Sequence, residues 1–268
     1  MRRSIWRIVL VAVACMASAC ANLPSENASG TVSGANNSAN SANSSDPSEL
    51  IPRLSAAIAT GQVPPGWEVW NIPTKRKTDY RSVSVDGKRA IQASSSSSAS
   101  GLAAKVNIDL LKTPILQWSW RVNNLIEGAD NTDRYNEDSP VRIVLAFEGD
   151  KSALPLKDQL FIERAQLLGR REFPYATLMY IWENKLPVGS VITSSHTGRI
   201  KKIVVASGSD GLNKWNRFKR DVVADYKLAY GKAPGKLIGV ALLSDTDNTG
   251  KQSLAFYGDL SIGPITAD

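Results

Sequence analysis

Apolar and polar residues alternate along most of the chain after Gly66, in short runs that turn-forming residues separate. A period of two is the pattern of a strand with one buried face. Asp86-Gly87, between two of these runs, is a typical hairpin turn. About ten strands are predicted, and this number indicates an antiparallel two-sheet sandwich of the jelly-roll type. They are 67–70, 80–85, 89–95, 102–108, 115–122, 141–147, 177–182, 201–206, 237–243 and 253–262.

Two segments interrupt this pattern with apolar residues at helical spacing, 155–168 and Val222–Tyr230, and each ends before a glycine. A shorter helix is predicted at the start of the ordered region. It begins with Asp46 as its cap and ends before Gly61. The two helices that interrupt the strands carry charges on one side, so we expect them to flank the sandwich.

The N-terminus is typical of an exported protein. Residues 1–19 have a basic start, an apolar centre and small residues at the end, which predicts a signal peptide. The segment 17–20, Ala-Ser-Ala-Cys, resembles a bacterial lipobox, in which Cys20 becomes the lipid attachment point. Ala21 after the cysteine is typical of outer-membrane lipoproteins. The alternative is an ordinary secretory cut after Ala19 or Ala21.

Residues 20–46 are rich in Asn, Ser, Ala and Gly and contain no aromatic residue. Such a segment cannot bury enough apolar surface to offset its ordering entropy. We therefore predict a disordered tether with a reach of roughly 30 Å, followed by a single sandwich domain over residues 47–268. The expected location is the bacterial outer membrane, with the domain facing the periplasm or the cell surface.

Composition excludes several chemistries. Both cysteines, Cys15 and Cys20, precede the predicted sandwich domain, and His196 is the one histidine. The sandwich can therefore contain no disulfide, no thiol nucleophile and no multi-histidine metal site. The net charge is +7, but the basic residues are scattered, so we expect no nucleic-acid partner. An anionic glycan or a lipid headgroup surface suits this charge better.

Four segments carry a resemblance to a known family: 117–122, 137–144, 174–182 and 245–259, with their Trp-Ser-Trp, Glu-Asp-Ser-Pro, Tyr-Ile-Trp and Asp-Thr-Asp-Asn sequences. With these segments the chain resembles the exported bacterial family known as domain of unknown function 3047, over about residues 65–265. The resemblance implies a single β-rich domain and an exported context. It implies no activity.

Aromatic residues are one candidate for ligand binding. Trp118 and Trp120 lie on one face of their strand by alternation, and Tyr180 and Trp182 lie on one face of another. Exposed indole and phenol rings can bind sugar rings. The same residues can equally form the core, because aromatic side chains bury large areas.

An aspartate-rich loop is a candidate calcium site. Asp245, Asp247 and Asn248 offer the oxygen ligands that Ca²⁺ prefers, and Asp259 or Asp225 could complete the set. The alternative is a turn in which the side chains bind their own backbone. No other cofactor is expected.

Carboxylates before the strand at 141–147 are a further candidate. Asp138 and Arg142 are four residues apart across the strand entry, where they could form a bidentate pair and bind a ligand. A catalytic role is the alternative, with Glu137 or Asp138 acting together with Asp225 or Asp247. The chain has no hydrolase or nucleotide-binding motif.

Two functions remain from these observations. The first is an envelope-anchored lipoprotein whose sandwich binds a polysaccharide or another envelope ligand without cleaving it. The second is a jelly-roll enzyme that cleaves glycans with paired carboxylates. A purely structural role in the envelope is also open.

Overall fold

Strands dominate the computed structural model, which describes residues 50–57, 59–169 and 172–265. The helices in these ranges that have more than one turn are α1 (Leu156–Gly169) and α2 (Val222–Tyr230). The strands in the same ranges are β1 (Glu68–Asn71), β2 (Asp79–Val85), β3 (Lys88–Ser96), β4 (Ala99–Ile108), β5 (Ile115–Val122), β6 (Ser139–Phe147), β7 (Ala176–Glu183), β8 (Val191–Thr193), β9 (Ile200–Ser207), β10 (Trp215–Asp221), β11 (Leu237–Asp245) and β12 (Gln252–Gly263).

These strands form two sheets. The seven-stranded sheet has the order β1-β4-β11-β6-β7-β9-β8, and the five-stranded sheet has the order β10-β5-β12-β3-β2. Neighbours are antiparallel except β7 and β9, which are parallel. The prediction of a mostly β two-sheet sandwich with two helices is confirmed, with this one parallel pair making the larger sheet mixed.

The main core lies between the two sheets. Alternate residues of β5 and β6 point into it, which explains the period of two in the sequence. The inward residues of these two strands are Leu116, Trp118, Trp120 and Val122 from β5, and Val141, Ile143, Leu145 and Phe147 from β6.

The larger sheet is also covered on its outer face. Val144, Met179, Ile181, Val204 and Leu243 form a second apolar cluster there. Trp70, Ile72 and Leu186 pack against this cluster, and every residue of β7 is buried. A polar side chain on this outer face is therefore removed from water, and needs partners within the protein.

Local sequence explains the helix ends. The Asp221 carboxylate accepts a hydrogen bond from the Ala224 backbone amide and caps α2. Gly231 ends the helix in the left-handed conformation, at φ 72°. The prediction of a helix before Gly61 is wrong for the residues described there, because only the turn Leu54–Ala56 is helical, in the tighter 3-10 form. Buried Ile51 and Leu54 join the core instead.

Two strands escaped the sequence pattern. β8 has only three residues, and β10 is an edge strand in which most residues are polar. Phe218 is its contribution to the core, so the alternation is too weak to be recognised.

The predicted signal peptide, residues 1–19, and the predicted tether, residues 20–46, lie outside the described residues, and both stay predictions. Within the described ranges, no helix is long and apolar enough to cross a membrane.

Candidate functional site

The four candidate aromatic residues are core residues. Trp118, Trp120, Tyr180 and Trp182 are at most 3% exposed. The Trp118 ring stacks on Tyr180, with 4.9 Å between ring centroids, and the Trp182 indole donates a hydrogen bond to the Gly208 carbonyl over 3.0 Å. This placement corrects the expectation of an exposed sugar-binding platform. Alternation correctly predicted that the two rings of each strand share a face. In the structure these faces point into the core between the sheets.

Five of the charged residues that the sequence indicated meet on the outer face of the seven-stranded sheet, together with Lys202. We call this group the polar cluster, and it consists of Glu137, Asp138, Arg142, Lys202, Asp245 and Asp247. The charged side chain of Arg142, in β6, points to this outer face, since its neighbours Val141 and Ile143 point into the main core. It is fully enclosed, so its guanidinium depends on protein partners.

Asp245 is the principal partner of Arg142. The Arg142 Nη2 atom donates to both Asp245 oxygens, over 2.9 and 3.0 Å, and Nε donates to Oδ1 over 3.1 Å. The Ser139 backbone amide donates to the same carboxylate over 2.9 Å. The prediction of an Asp138–Arg142 pair is therefore corrected. Strand pairing of β6 with β11 brings Asp245 to Arg142, and this contact is invisible in the linear sequence.

Asp138 instead holds the aspartate-rich loop. Its carboxylate accepts hydrogen bonds from the Thr249 amide and hydroxyl, both over 2.7 Å, and from the Asn248 amide over 3.2 Å. The side chain of Asn248 donates to the Arg134 carbonyl. Asp138 is almost completely buried, so these bonds connect the segment before β6 firmly to the loop after β11.

Lys202 and Asn131 belong to the same region and were missed in the sequence. The Lys202 ammonium pairs with Glu137 over 2.8 Å and donates to the Asn131 side-chain oxygen over 3.0 Å. Burial lowers the Lys202 pKa to about 8. A signal for Lys202 exists in the sequence, because it is a lysine within the apolar run of β9. Its partners could not be deduced, since they come from a loop about seventy residues away.

Three carboxylates of the polar cluster are close enough to share a cation. The oxygens of Asp138, Asp245 and Asp247 lie within 4.8 Å of one another. Burial raises the pKa of Asp245 to about 6, and the Arg142 guanidinium opposes this shift. Asp247 is the most accessible of the three and pairs with Lys75. A Ca²⁺ ion would bind the free lone pairs of these oxygens and compete with Lys75.

The other proposed carboxylates lie elsewhere. Asp259 accepts hydrogen bonds from the backbone and hydroxyl of Ser55. Asp225 accepts from the Tyr180 hydroxyl and pairs with Arg220. Neither is in the group of three carboxylates. The calcium prediction therefore stays a prediction. Its candidate carboxylate ligands are now Asp138, Asp245 and Asp247, and the Asn248 amide is hydrogen-bonded to Asp138.

The outer face of the five-stranded sheet has a different character. A groove of about 470 Å³ lies over β3 and β12. We call it the serine groove, and its lining residues are Ser94, Ser95, Ser96, Asn124, Gln252, Ser253 and Leu254. Six of these seven described lining residues have a hydroxyl or amide side chain, and none of them is a carboxylate. The run of serines at the end of β3 was its signal in the sequence.

An aromatic and cationic row borders the serine groove. Strand register places Phe256 opposite both Gln92 and Arg121, and Arg121 opposite Trp215. Phe256 follows Leu254 on the same face, about 7 Å further along the strand. The Arg121 guanidinium lies 5.9 Å from the Phe256 ring centroid and pairs with Asp86 over 2.6 Å. Phe256 is buried, so a ligand that extends from the groove along this row would meet the partly exposed Trp215 and Arg121 side chains.

Comparison with known proteins identifies the family. The family model described as "Protein of unknown function (DUF3047)" matches residues 65–261, which is more than half of the chain. The chain therefore belongs to this family, and the resemblance noted in the sequence is confirmed. A comparison with curated proteins found no match.

Solved structures with a similar sandwich include proteins that act on or recognise carbohydrates. Endoglucanase 3 of Trichoderma harzianum, from family GH12, is 8% identical, with 77% of this chain and 94% of that chain covered and a TM-score of 0.40. The xyloglucanase domain of NopAA from Sinorhizobium fredii, solved with cellobiose, is 10% identical, with coverages of 81% and 100% and a TM-score of 0.40. The carbohydrate recognition domain of Emp47p is 14% identical, with coverages of 80% and 94% and a TM-score of 0.40. Nothing about the ligand of this chain follows from likeness at this level.

Proposed function

We propose that this chain is an exported lipoprotein whose sandwich binds a polysaccharide, without cleaving it, in the serine groove. The groove itself is the observation that carries this proposal. Its volume of about 470 Å³ lies in the range of ligand sites. The accessible hydroxyls of Ser94 and Ser96 and the amide of Gln252 can donate to and accept from sugar hydroxyls. Leu254 is the one residue with an apolar side chain among these described lining residues.

The bordering row extends this surface. Trp215 is partly exposed, and the exposed part of its indole ring can contact the apolar side of a sugar ring. Arg121 and Lys88 add positive charge, with the Lys88 ammonium 5.6 Å from the Trp215 ring centroid. We expect hydroxyl-rich polysaccharides to bind, and acidic ones to bind more tightly at low ionic strength.

Binding is tested on a polysaccharide array with the purified chain. Ser96 is exposed in the groove, so Ser96→Trp should block it and weaken binding at least about tenfold. Ser84→Trp is the matched control, because Ser84 is an exposed strand serine of the same sheet outside the groove. The proposal fails if the wild type binds no polysaccharide, or if Ser96→Trp binds as tightly as the wild type.

The second candidate is a glycan-cleaving enzyme that uses the polar cluster. The observation in its favour is the close approach of Asp245 and Asp247 together with the raised pKa of Asp245, about 6, which suits a general acid. The bidentate contact with Arg142 occupies Asp245, so we place this function second. The enzyme function would be established if the wild type releases reducing ends from polysaccharides, if Asp247→Asn loses this activity, and if Ser96→Trp keeps it.

Anchoring is part of the proposal. The lipobox-like segment that ends at Cys20 supports attachment to a bacterial outer membrane. Expressed in bacteria with a labelled fatty acid, the wild type should carry the label and fractionate with outer membranes. Cys20→Ser should lose both properties. A labelled Cys20→Ser protein, or an unlabelled wild type, would contradict lipid attachment.

A further inference from the structure

Helix α1 exposes an unusual stripe of leucines. Leu156, Leu160, Leu167 and Leu168 are 69%, 55%, 80% and 62% exposed. The first three fall within about 40° of one another around the helix axis, at 100° per residue. Clusters of exposed large apolar side chains are uncommon on soluble proteins and mark interaction surfaces.

The opposite side of α1 holds the helix to the sandwich. Ile162 is buried in the main core, and Phe161 packs edge-on against Phe173 with 5.4 Å between ring centroids. The Asp158 carboxylate accepts a hydrogen bond from the Thr197 hydroxyl over 2.6 Å. The leucines therefore face outward because the other side of the helix is already engaged, and nothing among the described residues covers them.

The charges beside the stripe favour an anionic partner. At 100° per residue, exposed Lys157 and Arg164 lie together between the three aligned leucines and Leu168, and exposed Glu163 lies beside Leu156 on the other side. Arg170 and Arg171 follow the helix in the sequence. A second copy of the chain would bring these cations close to each other, whereas an anionic surface would neutralise them.

We propose that α1 is a membrane-surface helix, which places its leucines at the boundary between headgroups and acyl chains of an anionic phospholipid bilayer. Exposed leucines with Lys and Arg beside them are typical of helices that lie in the interface of a membrane. Lys157 and Arg164 can extend their ammonium and guanidinium groups toward the lipid phosphates while their stems stay near the leucines. This contact is separate from the serine groove and from lipid attachment, and it would orient the sandwich on the membrane.

The test uses the mature chain from residue 20 onward carrying Cys20→Ser, so that neither the apolar segment of residues 1–19 nor a lipid anchor contributes. Sedimentation with vesicles of phosphatidylcholine mixed with phosphatidylglycerol should show binding that weakens with added salt. The double variant Leu160→Glu with Leu167→Glu should bind at least about tenfold more weakly. Leu111→Glu is the matched control, because Leu111 is 77% exposed in the turn after β4 and should bind as the wild type does.

The outcomes separate this proposal from the others. It is overturned if Cys20→Ser does not bind anionic vesicles, or if Leu111→Glu weakens binding as much as the double variant. A concentration-dependent dimer that the double variant abolishes would assign the stripe to a second copy and also overturn it. Ser96→Trp should keep vesicle binding, and the leucine variants should keep polysaccharide binding, so failure of one function is distinguishable from failure of the other.

Discussion

The outer faces of the two sheets both carry arginine, but in opposite surroundings. Arg142 on the seven-stranded sheet is fully enclosed and bound by Asp245, whereas Arg121 on the five-stranded sheet pairs with an exposed Asp86 beside an open groove. Loops cover the outer face of the seven-stranded sheet, so its charged side chains are removed from water and pair with one another. The second face stayed open, and its accessible polar groups include the hydroxyls of Ser94 and Ser96 and the amide of Gln252. The paired, enclosed charges of the seven-stranded sheet therefore stabilise the fold, and the neutral polar groove of the five-stranded sheet is the candidate ligand surface.

The largest expected effect tests the enclosed face. Arg142→Ala leaves the Asp245 carboxylate buried without its partner, and we expect a loss of about 3–5 kcal/mol in the free energy of unfolding. Urea denaturation followed by tryptophan fluorescence measures it. A loss below about 1 kcal/mol would mean that water reaches Asp245 and that the two faces are alike.

The pH dependence of stability should be the next largest effect. Burial raises the pKa of Asp245 to about 6, so between about pH 4 and 6 the folded protein holds a proton that the unfolded chain releases. This contribution is complete below about pH 4 and is lost as the pH rises through 6, a change of about 3 kcal/mol. Asp245→Asn should remove it, which urea denaturation at several pH values will show. Equal pH profiles for the wild type and this variant would contradict the raised pKa.

Calcium should have a smaller effect. If Asp138, Asp245 and Asp247 bind Ca²⁺ with a Kd of about 1 mM, as extracellular sites do, then about 10 mM Ca²⁺ adds roughly 1.4 kcal/mol of stability. Thermal unfolding with and without Ca²⁺ measures this shift. Asp247→Asn should abolish it, since Asp247 is the accessible ligand. A wild type that does not respond to Ca²⁺ would show that Arg142, Lys202 and Lys75 already supply the positive charge.

The smallest effect on stability is expected on the open face. Arg121→Ala removes an ion pair in which Asp86 is 55% exposed, and such pairs contribute about 0–1 kcal/mol. Binding of acidic polysaccharides should fall all the same, because positive charge beside the groove is lost. A stability loss as large as that of Arg142→Ala would remove the contrast between the faces.

Much of the fold was readable from local patterns. The apolar patterns predicted β5, β6, β7 and β12 within a few residues, because apolar residues fill at least one face of each strand and both faces of β7 are buried. Asp86-Gly87 predicted the hairpin between β2 and β3 correctly. β10 was missed because most of its residues are polar. The helix before Gly61 was wrong because Ile51 and Leu54 are buried by the sandwich itself, and a short 3-10 turn suffices to place them there.

The candidate sites depended far more on tertiary contacts. Sequence reasoning found Asp138, Arg142, Asp245 and Asp247, and the fold does bring them together. It paired Arg142 with the wrong aspartate, because proximity in the chain suggested Asp138 while strand pairing supplied Asp245. It also proposed Trp118 and Trp182 as a ligand platform, since alternation tells which residues share a face and not which face meets solvent.

By itself, the sequence determined the sheet content, the faces of the strands and the family, because hydrophobic periodicity and short motifs are local properties. Only the tertiary structure decided which faces were covered. The serine groove, the enclosed polar cluster and the exposed leucines of α1 all follow from that decision. The physical reason is that burial and charge pairing arise between segments distant in the chain, such as Lys202 with Glu137 and Arg142 with Asp245.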